Sequence, residues 1–411
     1  MTAAIVGVDV GGTTTAAGVV TRDGDVVVDE SAPTRGKAQA DPLAAISALI
    51  RKVTDEAARR TWSIDAIGVG VPGPVDAARG RVGEPAIHVP ELAGRPLADE
   101  LTAEFGLPAF VDNDVNALAL GEWMFGAGRR VRSLVVLAAG TGFGAGIVLE
   151  GRLVRGAVGF GGELGHAPVR FDGPRCWCGG RGCLALYASG RGIVDSARAR
   201  VAGRAQAPLL KAAGGDPMGI TAPGVFHAAA EGDSVAASVV DEACQALGAM
   251  IGTVVNGLNP EVIIVTGGVA QSLALLEAKI LRAAGEYAFP RALAATRVTI
   301  VPGDKRVSVR GAAALALYER AMKNKGANSR EPSRFRAGRG PRDQGDAQAL
   351  THEGCGAFFR SSSRMRGRRV TADSPWICAT ISPFRSITTV YGEPLKPKGL
   401  PIVSFVSSAT G

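Results

Sequence analysis

The chain predicts an α/β fold built from two related halves, and three observations carry that prediction. Short apolar runs rich in β-branched residues, Ala4–Val10, Ile64–Val71, Leu134–Ala138 and Val262–Thr266, have the length and composition of buried strands. Helical periodicity falls between them, first at Asp41-Pro42, which opens an amphipathic stretch ending near Arg60. The third observation is a repeat. A strand, a glycine turn and a returning strand begin at Ala4 and begin again at Leu134, about 130 residues later.

Each element follows from local chemistry. Ala4–Val10 closes on Gly11-Gly12, and Thr14–Val20 with Asp25–Val28 flank an Asp23-Gly24 hairpin turn. Ile64–Val71 stops at Pro72-Gly73-Pro74, which cannot continue a ladder. Phe110-Val111 end a third strand before Asp112-Asn113-Asp114, and the chain turns helical from Val115. In the second half, Gly140–Gly144 is the turn, Ala145–Leu149 the returning strand, and Arg310–Ala321 a closing helix. Cys244 in an apolar helical stretch, and Trp123 with Phe125, are expected to be packing residues; His88 and His227 are expected on loops or at the surface.

At 411 residues and 46% hydrophobic, the chain can bury two sizeable cores. The net charge of +8 is not spread evenly. Residues 323–411 hold 15 Lys+Arg against 6 Asp+Glu, which leaves about −1 for residues 1–322. The body is near neutral, so a nucleic-acid partner is not expected. Residues 326–346 are rich in Gly, Arg, Pro and Ser, and the region 323–411 reads as a basic extension without a core. The first residues lack a secretory pattern, no run of 18 apolar residues occurs, and six cysteines do not form a disulfide framework; the expectation is a cytoplasmic protein without a membrane span.

Asp9-Val10-Gly11-Gly12-Thr13 is the first candidate phosphate site. Glycines let backbone N–H groups approach anionic oxygens, Thr13 adds a hydroxyl, and Asp9 can hold a magnesium-bound water. Gly140-Thr141-Gly142-Phe143-Gly144 is its counterpart, and Gly267-Gly268 suits the adenosine end of a nucleotide. No GxxxxGK[ST] occurs, which excludes a P-loop. Asp112-Asn113-Asp114 stands where a strand gives way to a helix, so a carboxylate there is held rigidly enough to take a proton from a hydroxyl. Asp112 is expected to cap the helix and Asp114 to act as the base. His166, Cys176, Cys178 and Cys183 supply one imidazole and three thiolates, a closed tetrahedral zinc set with no position for a catalytic water.

In this order, Asp9–Thr13, Val71–Asp76, Asn113-Asp114, Gly140–Gly144, Glu163–His166 and Cys176–Cys183 resemble the bacterial ROK sugar kinases, their glucokinases above all, over roughly residues 4–321. The resemblance implies an actin-like (ribonuclease H-like) fold of two α/β domains with the active site in the cleft between them. The expected domains are 1–120, completed by a helix at about 308–321, and 121–307 with the zinc loop at 163–183. The resemblance implies ATP and Mg²⁺ at Asp9, Gly11, Gly12, Thr13, Gly140, Thr141, Gly142, Gly144, Gly267 and Gly268, with a structural Zn²⁺ in the loop. It places a sugar, most of all glucose, on Gly73, Asn113, Asp114, Glu163 and His166, with His166 also ligating zinc, and it implies a homodimer or homotetramer. Only eight residues precede Asp9, too few for the helix-turn-helix of the family's repressors. Two positions depart from the pattern. Gly182-Cys183-Leu184-Ala185 replaces the usual GCxE, and Pro85-Ala86-Ile87-His88 replaces Pro-Asn-Leu. These point to another hexose, an N-acetylhexosamine or a cyclitol as the alternative acceptor.

Overall fold

The computed structural model describes residues 2–35, 41–203 and 207–328; the sequence beyond 328, most of the expected basic extension, lies outside the described residues. The chain opens with a meander of β1 (Thr2–Val10), β2 (Thr14–Thr21) and β3 (Val26–Pro33). After α1 (Pro42–Arg59), β4 (Trp62–Val71) returns parallel to β1. A short ribbon of β5 (Val75–Asp76) and β6 (Arg81–Val82), then α2 (Leu97–Phe105), lead to β7 (Ala109–Asn113) at the parallel edge. The resulting sheet has the order β3-β2-β1-β4-β7.

Helix α3 (Asp114–Met124) carries the chain to a second meander, β8 (Leu134–Ala139), β9 (Phe143–Leu149) and β10 (Arg152–Leu153). Short α4 (Ala185–Ala188), then α5 (Gly190–Val201), α6 (Pro208–Ala212), α7 (Ala222–Ala230) and α8 (Ser234–Leu258) precede β11 (Val262–Thr266). Next come α9 (Ala270–Ala274), α10 (Glu277–Tyr287), α11 (Pro290–Ala295), β12 (Arg297–Ile300) and α12 (Lys305–Asn328). The second sheet has the order β10-β9-β8-β11-β12. In both sheets an antiparallel meander is followed by two strands parallel to its first, so the repeat seen in the sequence is a repeat of topology.

The sequence explains the local choices. Asp41 accepts a hydrogen bond from Leu43 N at 3.0 Å and Pro42 occupies the first helical turn, so α1 begins at the residue the caps demand. Ile46, Leu49, Ile50 and Val53 recur on one face of α1 and are buried against the first sheet, each worth about 1.5–3 kcal/mol. On the other face of that sheet, α12 lies almost on the backbone. A Cβ at Gly7 would sit 2.1 Å from Val309 O, and one at Gly68 1.8 Å from Ala312 O. A hydrophobic layer including Ile5, Phe110, Leu120, Leu134, Ile264 and Leu315 joins both sheets to α3 and α12. The closing helix begins earlier and ends later than the Arg310–Ala321 stretch expected, so the extension cannot start at Lys323, whose ammonium lies over the Phe110 ring. By length and hydropathy α8 is able to cross a bilayer, but 67% of its most apolar window is buried within the fold, where Val239, Cys244, Leu247 and Ile251 form core.

Candidate active site

β7 pairs with β4 through Gly70↔Asp112 and Val71↔Asn113, so the strand runs one residue further than Asp112. The expected cap is corrected here. Asn113 caps α3, its Oδ1 accepting from Val115 N at 2.9 Å and Asn116 N at 3.1 Å, while its Nδ2 donates to Gly73 O at 3.1 Å. Asp112 still belongs to the strand and turns inward. Its carboxylate accepts from Arg155 Nε at 2.6 Å, Asn116 Nδ2 at 3.0 Å and Asn113 N at 2.7 Å. The next residue, Asp114, opens the helix with Oδ1 accepting from Val115 N at 2.9 Å.

Asp114 sits in an acidic setting. Burial pushes it up to about 7, and the negative charges of Asp9 and Glu163 push the same way, against the hydrogen bond from Val115 N. Asp9, at the end of β1, is itself raised by burial to about 6, opposed by the positive charge of Lys305 and a hydrogen bond from Ser308. Asp114 therefore feels two carboxylates from other segments on top of its burial, and it is poised to gain or lose a proton near neutrality.

The two glycine turns approach this centre from the two sheets. In the first, Gly11 N donates to Thr14 O at 3.1 Å, leaving Gly12 and Thr13 at the tip. In the second, Gly140 N donates to Gly142 O at 3.0 Å, and a Cβ at Gly142 would meet nothing within 4 Å. Gly144 differs from its neighbours. It packs on Val115 in the first turn of α3, where a Cβ would lie 2.8 Å from Val115 Cγ2, so it brings the second sheet up to the turn that holds Asp114. Gly267 has φ of +105° and abuts Ala139 and Gly303, whereas Gly268 faces open space. Gly140, Thr141 and Gly268 line a cavity of about 450 Å³ together with the apolar Ile220, Ala222, Pro223 and Phe226. A lining that combines backbone of the glycine turn with apolar side chains has the mixed character a nucleotide requires.

His166, Cys176, Cys178 and Cys183 come together as expected, their ligand atoms all within 4.8 Å of one another. Cys178 Sγ to Cys183 Sγ is 3.8 Å, and Cys176 Sγ to His166 Nδ1 is 3.7 Å. A tetrahedron with Zn–S bonds of about 2.3 Å has sulfur–sulfur edges of about 3.8 Å, so the donor set fits zinc in spacing as well as chemistry. The loop is closed by its own backbone: Cys176 N donates to Gly180 O and Leu184 N to Ala167 O, at 2.9 and 3.0 Å. Glu163 immediately precedes the short helical turn Leu164–His166, so it is anchored where the metal loop begins. Ala185, where the family pattern has Glu, is 1% exposed in the apolar core of this half.

Sequence reasoning missed the arginines. Arg35 grips Glu91 through two hydrogen bonds of 2.6 and 2.7 Å and also donates to Gly12 O and His88 O, tying the first glycine turn to the 84–91 loop. A Cβ at Gly12 would lie 3.4 Å from His88 Cβ, so the altered Ile87-His88 segment borders that turn. His227 is a surface residue beside Glu231. Arg155 joins Asp112 to Glu319 of α12 with two contacts of 2.6 Å. The ion pairs of Arg35 and Arg155 join residues 43 to 164 apart along the chain, with no local signal.

Comparison with known proteins agrees with this geometry. Residues 5–319 match the ROK family. A glucokinase of Thermotoga maritima is 33% identical over 314 residues, 76% of this chain and 96% of that protein. The structure of a ROK family glucokinase from Streptomyces griseus, in complex with glucose and AMPPNP, superimposes with a TM-score of 0.63 at 31% identity, covering 76% of this chain and 98% of the other. A ROK family transcriptional regulator, a homologue of the E. coli MLC protein, superimposes with a TM-score of 0.67 at 28% identity, covering 80% and 82%. With the duplicated sheets and both glycine turns in place, the chain belongs to the ROK family and has its actin-like two-domain sugar kinase fold.

Proposed function

We propose that this protein phosphorylates a sugar hydroxyl with ATP, most readily the primary hydroxyl of glucose, and that Asp114 is the base. The observation that carries the reading is Asp114 itself, at the start of α3, near enough to Asp9 to feel its charge and next to Val115, on which Gly144 packs, with burial raising it to about 7. The hydroxyl donates its hydrogen bond to Asp114; as its oxygen bonds to the γ-phosphorus, the bridging P–O bond breaks, ADP leaves, and Asp114 takes the proton. Asp9 would hold magnesium, which when bound neutralises charge on the phosphates. Gly12, Thr13, Thr141 and Gly142 direct backbone and hydroxyl donors at the phosphate chain from turns that Gly11 and Gly140 close, and Gly268 opens the slot for adenosine.

On the acceptor side, Asn113, Gly73, Glu163 and His166 surround the sugar. Nδ1 of His166 faces Cys176, so with zinc on that nitrogen only Nε2 remains to meet a sugar hydroxyl. Zinc would fix the loop that carries Glu163, a structural service without a reaction step. The buried methyl at Ala185 favours a second reading in which a different hexose or an N-acetylhexosamine is preferred, because a carboxylate of the family pattern is missing from the pocket wall. ADP release measured over glucose, mannose, N-acetylglucosamine and N-acetylmannosamine decides between them: glucose is expected to have the highest kcat/KM, and a preference of about tenfold or more for an N-acetylated sugar, the size of one lost charged hydrogen bond, would select the second reading.

A further inference from the structure

The cavity beside the Gly140–Gly144 turn is lined by two cations among the described residues, Arg191 and Arg198. Arg198 is committed to its own loop, donating to Pro217 O and Met218 O at 2.9 Å each. Arg191 is not. Its side chain is 56% exposed, and its one polar contact among the described residues is a long 3.4 Å approach to Asp195, one helical turn on. Its backbone, by contrast, is fastened to the phosphate turn: Arg191 N donates to Thr141 O at 3.1 Å, and Gly190 N to Gly140 O at 2.8 Å.

What orients the Arg191 side chain is the metal loop. Its guanidinium lies over the indole of Trp177, 4.5 Å from the ring centroid. Trp177 stands between Cys176 and Cys178, and its ring meets that of His166 edge-on, with centroids 6.4 Å apart and planes at 85°. A guanidinium stacked on an indole keeps its N–H fork free at the edges while losing rotamer freedom in advance, which suits recognition of a phosphate. The order along this wall is thus metal ligand, indole, guanidinium, nucleotide cavity.

We propose that Arg191 is a donor-recognition residue whose guanidinium pairs with the phosphate chain of the nucleotide, and that Trp177 is the positioning residue that holds it there. The metal loop then serves the donor side of the site as well as the sugar side. The inference rests on the reading that this cavity takes ATP. Asp195 gives the guanidinium a weak partner that phosphate oxygens outcompete.

Calorimetric titration of the zinc-loaded full chain with ADP, and separately with adenosine, tests both parts. Arg191→Ala is expected to weaken ADP binding about 10- to 100-fold, the worth of a charge-assisted hydrogen bond, and adenosine binding by less than about twofold. Arg191→Lys should recover part of the loss. Trp177→Ala, with zinc content checked by elemental analysis, should weaken ADP about three- to tenfold while sparing adenosine, as a stacking contact of this kind is worth. Should that variant lose zinc, Trp177→Phe takes its place: with an aromatic face retained it should bind ADP within about threefold of the unaltered protein, and a fall as large as that of Arg191→Ala would overturn the positioning role. Unchanged ADP affinity in Arg191→Ala, or equal losses for ADP and adenosine, overturns the recognition role; unchanged affinity in zinc-replete Trp177→Ala overturns the positioning role. An unaltered protein that binds neither ligand would overturn the nucleotide reading of the cavity itself.

Discussion

Replacing Asp114 by Asn should damage catalysis and strengthen the fold, and the second effect should grow as pH rises from about 4 to about 7 and be full above that. The side-chain oxygen that accepts from Val115 N survives in Asn, so the helix start is preserved. The proton acceptor does not survive, and turnover should fall about 100- to 10,000-fold. For stability, burial and the charges of Asp9 and Glu163 raise Asp114 from 3.8 to about 7. A carboxyl with a raised folded value contributes stability that is full below the unfolded value and lost as pH rises through the folded one. The penalty therefore builds from pH 3.8, where the unfolded carboxyl ionises, to about 7, and at pH 5 only about a third of it has accrued. Three units at about 1.4 kcal/mol each give roughly 4 kcal/mol as a ceiling. Water in an open cleft and sharing of the repulsion with Asp9 reduce this to about 1–2 kcal/mol, or about 2–6 °C in Tm. Thermal unfolding of both proteins at pH 5 and pH 8.5, without ligands, measures it. A stabilisation equal at the two pH values, or none at pH 8.5, would refute the claim that Asp114 is an electrostatically burdened group.

Further outcomes follow from the same geometry. The pH profile of kcat/KM should fall as pH drops through about 7, because the base must be unprotonated, with a further loss near 6 as Asp9 takes a proton; a flat profile between pH 5.5 and 8 would exclude Asp114 as the base. Removing zinc with a chelator, or Cys183→Ser, should raise the sugar KM, with kcat measured at saturation falling less; a loss in kcat alone would mean the loop does not shape the sugar pocket. Arg155→Met should destabilise the protein by about 3 kcal/mol, since it leaves Asp112 buried without its cation, and Tm should fall accordingly; an unchanged Tm would show that Asn116 and Asn113 N satisfy Asp112 alone.

The sequence made the fold legible where its signals were local. Asp41-Pro42 started a helix, the glycine pairs ended strands, and the recurrence of one strand–turn–strand unit foretold two sheets of like topology. The gathering of His166, Cys176, Cys178 and Cys183 was legible for the same reason, since three of the four lie within eight residues. The cap was misplaced by one residue because Asp and Asn cap equally well, and only the pairing of Asn113 with Val71 shows that the strand has not yet ended. The start of α12 was invisible because Lys305–Arg310 are charged, polar or β-branched and show no apolar stripe; what holds them is the packing of Val309 on Gly7 and Gly18, far away in sequence. Arg35, Arg155 and Arg191 were missed because each acts on a partner that only the fold brings near. The carboxylates were readable as residue types, but the raised proton affinity of Asp114 comes first from its burial and then from Asp9 and Glu163, which only the fold supplies.

The most direct test follows phosphorus from donor to acceptor. Phosphorus NMR of the zinc- and magnesium-supplied protein with ATP and glucose should show ADP and glucose 6-phosphate appearing one for one. Release of inorganic phosphate in place of a sugar phosphate, or no consumption of ATP with any sugar above the protein-free rate, would contradict the account.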